Sequence, residues 1–187
     1  MNLSISEKDL QKAKKSLKKM KEIKSKDDEK LLMEFESNWI DFLNYLEKIS
    51  KKSELECKHF SNFQPWQGKY INERRKDPLL RYLKNARDAD QHSIQPITSE
   101  KGHGIQFISP TEGATFTEGD SITLRAKITI PRIETETFKN FNVIYSPPAE
   151  HMGEKLLDSN DPIEIAELGI RYYEEYLNNI RAKFHHV

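Results

Sequence analysis

The sequence predicts a mainly α-helical protein, a helical bundle with a small antiparallel β insertion just before its last helix. Three observations predict this. Several segments repeat apolar residues at spacings of three and four, the mark of an amphipathic helix. One segment between them alternates with a period of two, the mark of a half-buried strand. Two helices announce their starts with an acidic N-cap followed by proline, Asp77-Pro78 and Asp161-Pro162. At 187 residues the chain suffices for one domain, or one domain plus an insertion.

In the first segment, Ser6 to about Lys24, Leu10, Ala13, Leu17 and Met20 form a narrow stripe among lysines, a helix that must lie on something or stay mobile. From Asp27 to about Leu55 the set Leu31, Leu32, Phe35, Trp39, Phe42, Leu43, Leu46 and Ile49 is far more strongly periodic, and Ser25 and Asp28 are spaced as a capping box. Between Cys57 and Asp77 the pattern loosens around Pro65 and Gly68, which predicts a loop and a short helix. Pro78 opens the next helix, with Leu79, Leu80, Leu83, Ala86 and Asp90 near one side, and Pro96 biases Gln95 away from helical dihedrals and ends the run. In Ser121 to Pro131 the residues Ile122, Leu124, Ala126, Ile128 and Ile130 alternate with Thr123, Arg125, Lys127 and Thr129, so the five apolar ones should face protein. Gly104–Ser109 and Phe138–Tyr145 are weaker strand candidates, giving a sheet of two or three strands. Asp161, Pro162 and Glu164 then supply an N-cap, a first-turn proline and a capping-box partner for a last helix of about 23 residues. The organisation expected is a basic helix or arm over 1–26, a bundle over 27–100 and 160–187, and an insertion over 102–148.

With 36% hydrophobic and 32% charged residues, and no apolar run near the roughly 18 residues of a membrane span, the composition is that of a soluble protein. The opening MNLSISEKDLQKAKK lacks the apolar core of a secretory signal and the single Cys57 has no internal disulfide partner, so a cytoplasmic setting is expected. Cys57 reads as a partly buried thiol at a helix end. Net charge is zero, yet residues 1–26 carry +6, residues 27–57 carry −5 and residues 58–101 carry +4. Such segregation permits a local basic surface of the kind nucleic acids bind; alternatively the first two helices pair opposite charges with each other.

The segment DPLLRYLKNARDADQHSIQP carries the sharpest candidate chemistry. Arg87 and His92 stand five apart near the end of a capped helix, with Asp88 beside the arginine. A second pair at this spacing, Arg181 and His186, falls at the C-terminus. The wording Arg87-Asp88-Ala89-Asp90-Gln91-His92 resembles the HEPN family, small helical bundles whose catalytic members carry Arg, a polar residue, three further residues and His. The resemblance covers roughly residues 27–100 and 160–184. It implies a metal-independent endoribonuclease without a cofactor, a toxin or defence effector with RNA as substrate, a possible antitoxin protein as partner, and an active site composed at a homodimer interface. The segment ISPTEGATFTEGDSITLRAKI also looks like the opening of bacterial immunoglobulin-like repeats, but about 45 residues fall well short of a full sandwich.

RNA supplies its own nucleophile, the 2′-hydroxyl, so cleavage needs proton transfer and stabilisation of charge on phosphorus. An imidazole with an ordinary pKa near 6.5 suits the first task, which falls to His92. The forked guanidinium of Arg87 suits the second. Asp88 is placed to orient either. Residues five apart differ by about 140° around a helix, so the two side chains do not share a face, and two copies about a two-fold axis would bring them to one cleft. Arg74, Arg75, Lys76 and Lys84 are the candidate phosphate contacts, and Trp66 and Tyr70 the candidate stacking platforms for unpaired bases. A plain structural reading stands beside this: Arg87 pairs with Asp88 or Asp90, and His92 caps the helix C-terminus. On that reading the chain is a catalytically silent module that binds RNA or a protein, or a dimerisation domain without a ligand. No metal site is expected: Glu150 with His151, or His185 with His186, lack further ligands.

Overall fold

In the computed structural model, residues 3–24, 31–93, 95–102, 104–108, 125–129 and 132–184 are described, with backbone alone for Lys24, Leu31, 104–108 and 125–129. The described residues form five helices: α1 (Ser4–Lys24), α2 (Leu31–Cys57), α3 (Phe63–Lys76), α4 (Pro78–His92) and α5 (Pro162–Phe184). The Ser25–Asp28 capping box lies outside the described residues.

The chain divides into two units, Met1–Ser99 with Ile133–Val187, and Glu100–Arg132. In the first, the strongest periodic signals deliver the core. Phe35, Trp39, Phe42 and Ile49 of α2 meet Leu79 and Ala86 of α4 and Ile165, Ala166 and Ile180 of α5, all fully buried. Each large side chain so buried contributes roughly 1.5–3 kcal/mol of transfer free energy. Gly169 lets α5 approach closely: a Cβ there would stand 3.0 Å from Leu83 Cδ1 and 3.4 Å from Leu46 Cδ1.

The basic first helix is packed, with Leu10, Ala13, Leu17, Met20 and Ile23 buried. Glu56 at the end of α2 accepts from the Ile5 and Ser6 amides at 2.9 and 3.1 Å, so one carboxylate satisfies two first-turn donors of α1. Its charges pair mainly with α5. Glu7–Arg181, Lys14–Glu174 and Lys21–Glu167 repeat every seven residues on both helices, an antiparallel ladder. The α2 contribution is Lys52 to the buried Asp9 at 2.6 Å. Among the described residues the α1–α2 alternative is thus represented by Lys52–Asp9, and α1 also pairs along α5, which the charge blocks of the sequence do not indicate.

The loose segment before Asp77 is a loop over 58–62 followed by the helix expected there, α3 of 14 residues, with Pro65 in its first turn, where a missing donor costs little. Two expectations need correction. The Phe138–Tyr145 candidate is a hairpin, β5 (Phe138–Asn140) and β6 (Val143–Tyr145), joined by Phe141 and Asn142, both at positive φ. Glu164 does not close a capping box on Asp161: its carboxylate accepts from the Leu157 and Asp158 amides, both at 2.8 Å, while Asp161 Oδ1 caps the Ile163 amide at 2.9 Å.

In place of the expected sheet of two or three strands, the described residues form four two-stranded ladders. Where the chain leaves and re-enters the first unit, β1 (Thr98–Lys101) pairs with β4 (Arg132–Thr135). In the second unit β2 (Gly104–Ile108) and β3 (Arg125–Thr129) are antiparallel, with Ile105 opposite Ile128 and Phe107 opposite Ala126. This places apolar residues at matching register positions. The facing of the alternating set Ile122 to Ile130 lies outside the described side chains. A short hairpin, β7 (Glu150–His151) and β8 (Glu154–Lys155), precedes α5. Residues 133–148, expected within the insertion, belong to the helical unit, where Phe138 is 2% exposed and its ring lies 5.2 Å from Tyr82.

Candidate functional site at the end of helix α4

Helix α4 begins where the sequence places it. Asp77 Oδ1 accepts from the Leu80 amide at 2.9 Å and Pro78 takes the first helical position. The same carboxylate accepts from His151 Nδ1 at 2.9 Å and from the Met152 amide at 2.7 Å, so it fastens the β7–β8 hairpin to the helix start. Burial alone would raise the Asp77 pKa; the His151, Met152 and Leu80 hydrogen bonds outweigh it and hold the carboxyl below its ordinary range. His151 is therefore a structural partner of Asp77. Beside it an open cavity of about 440 Å³ is lined by Lys69, Glu73, Lys76, Asp77 and Met152 among others.

The buried face of α4 is Leu79, Leu80, Tyr82, Leu83, Ala86 and Ala89. Asp90, on the apolar side as its spacing implied, is half-buried, and desolvation raises its pKa. Arg87 follows the stripe by one position, and its side chain is 22% exposed. Its Nη1 donates to Asp88 Oδ1 at 2.6 Å. Its Nε is buried without a hydrogen-bond partner among the described residues. The guanidinium borders a small hollow of about 10 Å³, room for one water, together with Glu47, Arg74, Lys84 and Tyr173.

His92 is the last residue of α4 and is exposed. Its ring lies 6.4 Å from that of Phe141 at the β5–β6 turn. Among the described residues it has no hydrogen bond, to Arg87 or to a helix carbonyl; the C-terminal turn is closed by the Ser93 amide donating to Ala89 O at 2.8 Å. One chain therefore brings Arg87 and Asp88 together and leaves His92 apart, as the helical angle implied. Arg181 of the second pair is engaged by Glu7 and Asn178, and His186 lies outside the described residues.

Of the six candidate RNA contacts, three are exposed: Arg75, Lys76 and Lys84. Arg74 is occupied, donating to Glu47 at 2.5 Å and to Ser50, with its side chain 18% exposed. Burial weakens its hold on a proton, but Tyr173 and Glu47 outweigh that and leave it charged. Tyr70 is buried and Trp66 half-buried. Their rings stand 4.8 Å apart, and Trp66 packs on Phe184 at 5.4 Å, Tyr176 at 6.2 Å and Phe63 at 5.8 Å. Arg74 and Tyr70 thus leave the solvent-facing set, and Trp66 spends its faces on the core. The sequence pattern around them gave the helix but not the covering of its aromatic side by α5.

What the sequence missed is the β5–β6 hairpin beside His92. Gln95, past the helix end, donates to Lys139 O at 3.3 Å and accepts from Lys139 N at 3.0 Å, Asn140 donates to Asn85 at 3.2 Å, and Tyr82 donates to Glu136 O at 2.8 Å. These bonds join segments about fifty residues apart in sequence, which no local periodicity reports. The turn itself carries Phe-Asn in place of the Asn-Gly that signals a two-residue hairpin.

Comparison with protein-family models, curated proteins and solved structures returns no match. Among the described residues no helix is long and apolar enough to cross a membrane, and no group of three or more His, Cys, Asp or Glu is placed to hold a metal ion.

Proposed function

We propose that this protein is a metal-independent endoribonuclease of the HEPN type whose active site is composed by two copies of the chain about a two-fold axis, with Arg87 and His92 drawn from both. The observation that carries this reading is the state of Arg87: half-buried, held in place by Asp88, and with a buried Nε that lacks a partner. The adjoining hollow has room for one water that can meet this donor, and the part of the guanidinium that remains exposed is what a phosphate oxygen would reach. His92 stays in solvent, free to take a proton from a 2′-hydroxyl or give one to the departing 5′-oxygen. The 2′-oxygen then bonds to phosphorus as the 5′-oxygen leaves, and the product is a 2′,3′-cyclic phosphate. Lys84 and the exposed Arg75 and Lys76 are the remaining candidates for backbone phosphates. A toxin or defence role, with an antitoxin as partner, follows from the resemblance alone.

The test is complementation. Arg87→Ala and His92→Ala proteins, each inactive alone, are mixed and allowed to exchange subunits. After random exchange of equal amounts, about half of the dimers are mixed and one of two sites in each is intact, so a composite site built from both chains regains about a quarter of wild-type cleavage. A monomer by light scattering at tens of micromolar, with no recovery, refutes the composite site. A second reading, a silent module that binds RNA or protein, is favoured by the exposed apolar residues Phe141, near His92, and Val143 and Ile144 of the same hairpin. It predicts binding that ignores His92→Ala.

A further inference from the structure

We propose that Phe141 is the base-stacking platform of this protein, receiving an unpaired base of single-stranded RNA so that the attached backbone passes His92. This rests on the reading that RNA is the ligand of the His92 surface, and not on cleavage.

Phe141 departs from expectation in two respects. It is 82% exposed, in a chain that packs the rings of Phe35, Phe42, Phe63 and Phe138 completely or almost completely. It also holds φ 45° in a two-residue turn whose second member, Asn142, has φ 63°. Left-handed dihedrals at both positions suit Asn or Gly, and a bulky aromatic there is strained. The hairpin needs positive φ at both turn positions but not a phenylalanine there: the ring leaves the core and the residue is held against its preference. Strain of this kind clusters where a ligand is met.

The surroundings decide what that ligand is. The ring is carried on a fixed base: Phe138 stacks on Tyr145 at 5.6 Å, Asn140 is tied to Asn85, and Gln95 is paired with the Lys139 backbone. The His92 ring centroid lies 6.4 Å from that of Phe141, and the exposed Lys139 and Asn142 are near neighbours of Phe141 along the hairpin. A flat face bordered by an imidazole, an ammonium and a carboxamide suits a nucleobase with its phosphate: the base stacks, the amide can meet a base edge, and the ammonium meets the backbone. Stacking does not depend on base identity, so little sequence preference is expected from this contact. Trp66 and Tyr70, the aromatics best suited by sequence, are packed against α5, which leaves Phe141 as the open ring next to the candidate proton-transfer group. The competing occupant is a protein, since Ile144 and Val143 extend the apolar surface at 69% and 45% exposure.

The experiment measures binding of a fluorescently labelled mixed-sequence single-stranded RNA by anisotropy, with full-length protein in a chelator and in a His92→Ala background, so that failure of cleavage and failure of binding are separate results. Phe141→Ala is expected to weaken binding about 5- to 100-fold, the range for losing one stacked base. Phe141→Trp should restore it and Phe141→Leu should not. The fold-loss should be the same at low and high salt, because stacking releases no counterions, whereas Lys139→Ala should reduce the salt slope by about 0.7. Phe141→Asn should raise the melting temperature while weakening binding, which separates a ligand contact from a folding contact. The proposal is overturned if the parent protein binds no RNA, if Phe141→Leu binds as well as Phe141, or if Phe141→Ala binds normally. It is equally overturned if Phe141→Ala converts a dimer to a monomer and binding falls only in step, since the ring would then be covered by a second copy.

Discussion

Replacing Asp77 with alanine should cost more stability than any other single polar change at the start of α4. The side chain is 4% exposed and accepts three hydrogen bonds, from the Leu80 amide at 2.9 Å, His151 Nδ1 at 2.9 Å and the Met152 amide at 2.7 Å. Loss of the helix N-cap alone costs about 1 kcal/mol. The two remaining donors face a largely buried site, and each left unsatisfied adds about 1–3 kcal/mol, less whatever water enters from the adjacent cavity. A total of about 3 kcal/mol corresponds to a fall of about 6–12 °C in melting temperature for a chain of this size. His151→Ala removes one of the three donors and should cost correspondingly less. The pH dependence has a definite sign. The folded Asp77 pKa lies below its unfolded value near 3.9, so its stabilisation is present above that value and is lost as the pH falls through the folded pKa. The gap between wild type and Asp77→Ala, measured by thermal or urea denaturation, should therefore be full at pH 7 and narrow below about pH 4. A cost below about 1 kcal/mol at pH 7, or a gap that widens on acidification, would refute this account of the helix start.

Other consequences can be checked together. Cys57 is fully buried at the end of α2, and desolvation followed by the charge of Glu56 pushes its thiol up to about 11, so a thiol reagent at pH 8 should modify the native protein far more slowly than the protein in guanidinium. Asp90→Asn should stabilise the protein at pH 7, because burial raises the folded pKa of Asp90 and its charge is tolerated at a cost; the gain should vanish once the pH falls below the ordinary carboxylate range, as followed by denaturation midpoints. Deleting residues 103–130 should keep the helical circular dichroism signal, since these residues fall within the second unit, whereas a deletion reaching 148 removes the buried Phe138 and should destabilise α4.

What could be read from the sequence was what depends on near neighbours. The α4 start was legible because an N-cap and its proline act within one turn, and the core faces of α2 and α5 because burial imposes a period close to four. The divergence of Arg87 and His92 also follows from helix geometry alone. The sequence could not show that α1 lysines meet α5 acids, that Arg74 is taken by Glu47, or that Trp66 and Tyr70 turn inward, since each depends on which elements become neighbours. The Phe141 hairpin was hidden for a different reason: its turn carries residues that a strand pattern tolerates and a hairpin pattern does not favour.

The central claim is tested most directly by incubating purified protein with single-stranded RNA in the presence of a chelator and identifying the ends. The account predicts cleavage that leaves a 2′,3′-cyclic phosphate or its opened product, reduced about 10²- to 10⁴-fold by His92→Ala and about 10²- to 10³-fold by Arg87→Ala in proteins with unchanged circular dichroism, with His186→Ala as active as wild type. Intact RNA across a broad cellular pool, or cleavage that survives His92→Ala, would contradict it.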